Sequence, residues 1–278
     1  MKKRWGIYIM FFLGFLICCL PMAYSIFTQR HQSDVVATYQ NAVSNAGDEV
    51  AAVKEDAQEY NSKMYQSGGG VLDTLDTSIL SEESYRSQLD QTGTGVMGSL
   101  DIPKINVELP IYHGTGKEEL SQGIGHLEGT SLPIGGENTH CVLTGHRGLP
   151  QSKLLIRLDE MKKGDYFFIR CCNEVLAYKV LKIQTVEPDD VSGLQIQQGK
   201  DLASLVTCTP YGLNTHRLIV TGERVDYEET QYEEIEETIP SGREMLLTFL
   251  PVIFIAVMCV LYLKDRRNRR DLDENEKI

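Results

Sequence analysis

The chain has 278 residues, 42% of them hydrophobic and 24% charged, with a formal net charge of −12. That length suits one domain of ordinary size plus extensions, and the acidic balance excludes nucleic acid as a partner, because phosphate backbones recruit lysine and arginine. Seven cysteines without any paired CxxC or HxxxH spacing exclude a disulfide-dense scaffold and a structural zinc site, and imply no metal or other cofactor.

Met1-Lys2-Lys3-Arg4 opens the chain and is followed by an uncharged stretch from Trp5 to Thr28. About 20 apolar residues suffice to cross a bilayer, so residues 1–28 are read as a transmembrane anchor. A signal peptide is the competing reading, favoured by the small residues in Pro21-Met22-Ala23-Tyr24-Ser25. Near the other end, Met245 to Leu263 is again apolar and leads into Lys264-Asp265-Arg266-Arg267-Asn268-Arg269-Arg270. Basic flanks stay on the cytoplasmic side. The expectation is a second transmembrane helix at 245–263, a basic cytoplasmic tail at 264–278, both termini inside, and residues of about 29–244 outside the membrane.

Residues 29–70 are expected to form an extracellular helical segment. Val36, Tyr39, Val43, Ala46, Val50, Val53, Ala57, Tyr60 and Met64 recur at three or four over 31–66, the period of an amphipathic helix or helix pair. Gly68-Gly69-Gly70 ends it with a joint. Residues 71–95 read as an irregular connector with one short helix near Glu82 to Leu89. From Val96 the text changes to short β-branched or aromatic runs at 97–102, 107–112, 140–144, 166–169, 175–183, 203–207 and 217–221, bounded by turn signals. Such spacing predicts a closed barrel or a sandwich over 96–225. A short helix is expected from Lys153 to Lys162. Residues 226–244, rich in Glu and Tyr at first, read as an acidic, solvated stalk. Cys171 and Cys172 read as ordinary buried or edge residues.

One stretch stands out for chemistry, SLVTCTPYGLNTHRLIVTG at 204–222. Cys208 ends an apolar run, Thr209-Pro210-Tyr211-Gly212 turns the chain, and Arg217 opens the next run. Two antiparallel strands joined by this turn bring Arg217 back to the level of Cys208. A thiol is a weak nucleophile until a base or a neighbouring cation helps it, and a guanidinium donates in a fork suited to a developing oxyanion. A strand-end arginine paired with a carboxylate is the bland alternative. The base must come from His31, His113, His126, His140, His146 or His216. His146, between glycines in Leu143-Thr144-Gly145-His146-Arg147-Gly148, is the favoured candidate, and position alone leaves the others open.

LVTCTPYGLNTHRLIVTG resembles the active-site signature of the sortases, LTGHRGLP at 143–150 their histidine motif, and IPKINVELPIYHGT at 102–115 the strand pair that opens their barrel. The likeness is to the class C, pilus-assembling members and covers about 95–225. It implies a mainly β fold, the eight-stranded sortase-type β-barrel, here with an N-terminal helical extension and a transmembrane helix at each end. It also implies a membrane-bound cysteine transpeptidase, with Cys208 as nucleophile, His146 as general acid/base and Arg217 positioning substrate and oxyanion. The implied substrates are surface or pilin proteins bearing an LPXTG-like signal, and the acceptor is an amine, a pilin lysine or a peptidoglycan cross-bridge. The implied location is the outer face of the plasma membrane of a Gram-positive-type bacterium. Class C members usually carry a lid with an Asp-Pro-aromatic anchor. Here the region reads Leu75-Asp76-Thr77-Ser78-Ile79-Leu80, so Asp76, Ile79 and Leu80 are the lid candidates, with Gly68–Gly70 as a hinge.

Other classes remain in view. Papain-like proteases place Cys before His, the reverse of the order here. A wall-anchoring sortase using a peptidoglycan amine is one alternative to pilus polymerisation, and a non-catalytic, membrane-held β-barrel binding module is another.

Overall fold

The computed structural model describes residues 2–67, 82–147, 154–238, 249, 252–264 and 267. It divides into two compact units, Met1–Ile26 with Ile239–Ile278, and Phe27–Thr238. In the first unit the rings of Phe11 and Phe15 lie 6.1 and 5.3 Å from that of Phe254. Among the described residues no helix is long and apolar enough to cross a membrane. The expected span at 245–263 includes residues 245–248, 250 and 251, and the stretch 5–28 includes the side chains of residues 5–8, 18, 21 and 22, all outside the described set. The lid candidates Asp76, Ile79 and Leu80 also lie outside it.

The second unit is built on a closed barrel of eight strands: β1 (Val96–Ile102), β2 (Val107–His113), β3 (Ile124–His126), β4 (Thr139–Thr144), β5 (Tyr166–Cys171), β6 (Glu174–Val186), β7 (Asp201–Thr209) and β8 (His216–Val225). Their order around the barrel is β1-β2-β3-β4-β7-β8-β6-β5, and β5 pairs with β1 to close it. The β2–β3 and β4–β7 pairs are parallel and the others antiparallel. Side chains alternate between faces. Leu100, Ile111, Leu143, Ile169, Leu205 and Val220 belong to the main core. β3 was not among the expected strands: its three residues, Ile-Gly-His, are too few to show an alternation. The helix expected at 153–162 is instead turn from Leu154 and one 3-10 turn at Leu158–Glu160, because so short a segment does not repay helix nucleation. Its Leu154, Leu155 and Leu158 are nonetheless buried in the core.

The helical segment arrives as α1 (Lys2–Asn45) and α2 (Asp48–Gln66), broken at Gly47, whose φ of +53° a side chain would resist. Their apolar stripe, including Tyr39, Val43, Val50, Ala57, Tyr60 and Met64, joins the barrel's own core. Each such fully buried large side chain contributes about 1.5–3 kcal/mol relative to exposure. The expected solvated stalk is, as far as Thr238, laid against the barrel. It forms the short helix α5 (Glu229–Glu233), and Tyr232 donates to Asp101 Oδ2 at 2.8 Å while its ring packs on Phe168 and under Arg170. The tyrosines explain the difference, since they bring apolar surface into an otherwise acidic run.

Three histidines are structural. His140 bridges Gln195 O and Ser204 Oγ at 2.9 and 2.8 Å. His113 lies against Gln88 O and Gly95 O. His126, fully buried, meets the hydroxyl of Tyr85 from α3 (Glu82–Arg86) at Nδ1, 2.8 Å, and Ser131 O at Nε2, 2.9 Å. Tyr85 also accepts from the Gly114 amide, which pins the end of the 71–95 connector to the barrel. Burial disfavours the imidazolium of His126 and lowers its pKa to about 4. The unfolded chain binds this proton from its ordinary 6.5 downward, so stability present above pH 6.5 is lost as pH falls toward 4. By pH 5 the loss from this group is expected to reach about 2 kcal/mol. Urea unfolding at pH 7 and pH 5 checks it: His126→Asn should show a correspondingly flatter pH dependence than the parent, and equal slopes would contradict the assignment.

Candidate active site

The register of β7 assembles the site. On one side it pairs with β8 so that Cys208 lies directly opposite Arg217. On the other it runs parallel to β4, with Val142 beside Ser204 and Thr144 beside Val206. Extending that register by two residues brings His146 level with Cys208. The three residues named from the sequence therefore lie at the same end of three neighbouring strands, Cys208 near the close of β7, Arg217 at the start of β8 and His146 two residues beyond β4.

They also share a face. Ala203 and Leu205 point into the main core, whereas Val206 clusters with Val142, Ile219 and Leu194, and with Leu127 and Val186 at its edge. Alternation places Cys208 on the face of Val206, and Arg217 on that of Ile219. Cys208 thus sits, partly open to solvent, at the end of a buried apolar cluster on the outer wall of the barrel. The Ser192–Leu194 turn and Gln195, which holds His140, roof its inner end.

Hydrogen bonds lock the histidine segment onto the cysteine segment. The Gly145 amide donates to Val206 O at 3.1 Å, and Thr207 Oγ1 donates to Gly145 O at 2.7 Å. Arg147 Nη1 donates to Thr209 Oγ1 at 2.6 Å, and its Nη2 pairs with Asp159. The residues on either side of His146 are thereby tied to those on either side of Cys208. The Leu155 amide caps His146 O at 3.1 Å. A Cβ on Gly145 would stand 2.7 Å from Ile124 Cδ1 and 3.0 Å from Leu155 Cδ1, so a side chain there would have to displace those two tips. The Thr209–Pro210 bond is cis. Arg217 Nη1 donates only weakly, to His216 O and Asn214 O at 3.2 and 3.4 Å. Among the described residues it forms no ion pair. His216 turns elsewhere, to Glu187 and Thr215.

A thiol, an imidazole and a guanidinium that forms no ion pair among the described residues, together at one end of neighbouring strands, suit attack on a carbonyl of an extended peptide. Residues 100–225 match the Sortase domain family model. The chain also resembles sortase C1 from Streptococcus agalactiae, with 46% identity and a TM-score of 0.66, over 70% of this chain and all of that one. The chain belongs to the sortase family. A further neighbour among these sortases is Clostridium perfringens sortase C, solved with a C-terminal cell wall sorting motif. It is 39% identical, with a TM-score of 0.60, over 70% of this chain and all of that one. Sortase D of Bacillus subtilis is 36% identical over 127 residues, a match that takes in 45% of this chain and 61% of that protein.

Arg147, Thr207 and Thr209 were not singled out from the sequence, although each adjoins a residue that was. Nothing in the local text says that the two segments face each other. Arg147→Met keeps the aliphatic stem and removes the donors. A hydrogen bond to a charged group contributes about 1.5–3 kcal/mol, so exchange of the Leu155 amide should quicken at least tenfold while the β1 and β5 amides hold. Hydrogen exchange with mass detection checks this, and unchanged protection at Leu155 would show that the clamp holds nothing.

Proposed function

We propose that this sortase is a membrane-bound cysteine transpeptidase of class C type, cleaving an LPXTG-like sorting signal and joining the acyl part to a pilin lysine. The observation that carries the reading is the pairing of Cys208 with Arg217 beside the tethered His146. The 46% identity to sortase C1 supports the class, and the Clostridium enzyme solved with a C-terminal cell wall sorting motif supports the substrate.

The sorting peptide presents its Thr–Gly bond at the open strand end where Cys208 is partly exposed. The thiolate of Cys208 attacks the threonine carbonyl carbon, and the charge moves to the oxygen. The Arg217 guanidinium, which forms no ion pair among the described residues, stabilises that oxyanion more than it does the neutral carbonyl, which is the condition for acceleration. His146, protonated, gives its proton to the departing glycine amine, and the C–N bond breaks to leave a thioester on Cys208. The acceptor amine then loses a proton to the neutral imidazole and attacks the thioester. The new amide forms and the thiolate leaves, which restores the starting state.

The apolar stretches at 5–28 and 245–263 with their basic flanks support placement at the outer face of a Gram-positive-type plasma membrane, with both termini cytoplasmic.

Incubating the full chain with an LPXTG-type peptide and a lysine-bearing pilin peptide should give a transpeptidated product and an acyl adduct on Cys208. Cys208→Ala should abolish both. Arg217→Ala should lower kcat by about 10²–10³, the usual cost of losing an oxyanion donor. Hydrolysis alone would favour a protease, transfer only to a cross-bridge amine would favour wall anchoring, and no adduct on Cys208 would contradict catalysis altogether.

A further inference from the structure

Cys171 and Cys172 take no part in the chemistry proposed for Cys208. They end β5 and begin the two-residue turn into β6, where Cys171 pairs with Glu174. Cys172 and Asn173 both adopt left-handed backbone, with φ of +51° and +61°. Such a turn suits glycine or asparagine, and a cysteine in that conformation is uncommon. The turn has a chemical consequence. In a continuing strand adjacent side chains point to opposite faces, but here the two sulfurs lie 3.6 Å apart.

This pair sits where the N-terminal helices clasp the barrel. Tyr39 of α1 donates to Met97 O at 2.8 Å and lies 3.8 Å from Cys171 Sγ, which itself faces Met97 O at 3.2 Å. Asn173 Nδ2 donates to Val43 O at 3.1 Å, and Lys54 of α2 pairs with Glu174. The two thiols are unequal. Both are buried, Cys171 3% and Cys172 5% exposed, and Cys172 is the one that feels the Lys54 charge. A hydrogen bond from the Cys171 thiol, and after it the Lys54 charge, favours the thiolate of Cys172, while burial opposes it. The Cys171 proton is held more firmly.

We propose that Cys171 and Cys172 form a dithiol modification site, oxidised by small-molecule or protein disulfides to an adjacent-residue disulfide that loosens the hold of α1 on the barrel. The Cys172 thiolate attacks one sulfur of the incoming disulfide, forms a mixed disulfide and expels the other sulfur as thiolate. Cys171 then loses its proton, attacks Cys172 Sγ and expels the second thiolate. The two protein thiols give up two electrons, and the donor disulfide leaves as two thiols carrying their protons. Closure draws the sulfurs from 3.6 Å to about 2.05 Å. It removes the thiol proton from Cys171 and swings its sulfur away from Tyr39 and Met97 O. Neighbouring Cα atoms are only about 3.8 Å apart, closer than disulfides prefer, so the ring is strained and readily reduced again by a dithiol.

The test uses the full chain in detergent carrying Cys208→Ala, so that no other partly open thiol of the barrel reacts. It is incubated with oxidised glutathione, trapped with a maleimide and digested with trypsin, which releases residues 171–179 as one peptide. The expected peptide is lighter by two hydrogens and carries no maleimide, and dithiothreitol restores both thiols. Adding Cys171→Ser should leave Cys172 holding glutathione, whereas adding Cys172→Ser should leave Cys171 free. Hydrogen exchange at residues 36–43 should quicken at least tenfold on oxidation. Recovery of the peptide with two maleimides, or with glutathione on Cys172 and no closure in the unmutated pair, would overturn the site. Closure without any change at residues 36–43 would overturn its link to α1.

Discussion

The site depends on how β7 is registered between its two neighbours. One residue of slip against β8 would turn Cys208 into the core and leave Arg217 facing nothing, because the side-chain period of a strand is two. One residue of slip against β4 would withdraw His146 by about 3.3 Å, the rise of a parallel strand. The register is therefore held where an error would be most costly to burial. Leu143, Leu205 and Val220 lie in the main core, and Val142, Val206 and Ile219 lie in the outer cluster. Both faces of these strands are apolar, so a shift in either direction exposes one set and buries polar groups from the ends.

Around that frame the polar contacts act over short distances. Thr207 and Thr209 flank Cys208 and reach Gly145 and Arg147, which flank His146. The loop carrying the imidazole is thus fastened to the strand carrying the thiol. The core behind it is shared with α1 and α2, whose tyrosines and aliphatic residues complete the barrel's packing. A site fixed on strand ends and backed by a continuous core holds its geometry without the substrate.

Parts of this were legible in the sequence because their causes are local. The nine-residue spacing from Cys208 to Arg217, with a turn between, announces a hairpin, and the pairing in the structure is the one that spacing implies. The helical stripe from Val36 to Met64 is equally local. The partnership of β4 with β7 is not: 62 residues separate Gly145 from Thr207, and parallel pairing across such a distance leaves no mark on either segment. Position between glycines favours His146 among six histidines, but only the family resemblance decides it. Packing removes three rivals, since His113, His126 and His140 are buried and engaged with the interior. β3 was hidden by its brevity. The docking of Tyr232 was hidden by the acidic run around it, whose charge suggests solvent while its aromatic residues find the wall.

The central claim is spatial: Cys208, His146 and Arg217 meet at one strand end. It is tested most directly by replacing His146→Cys and, separately, Arg217→Cys, and treating each folded variant with a bis-alkylating reagent shorter than two strand spacings, about 10 Å. The account predicts that each new thiol is bridged to Cys208, seen for His146→Cys as a cross-linked pair of tryptic peptides and for Arg217→Cys as an internally bridged 201–224 peptide. Folded chains in which both thiols are alkylated singly and never joined would contradict it.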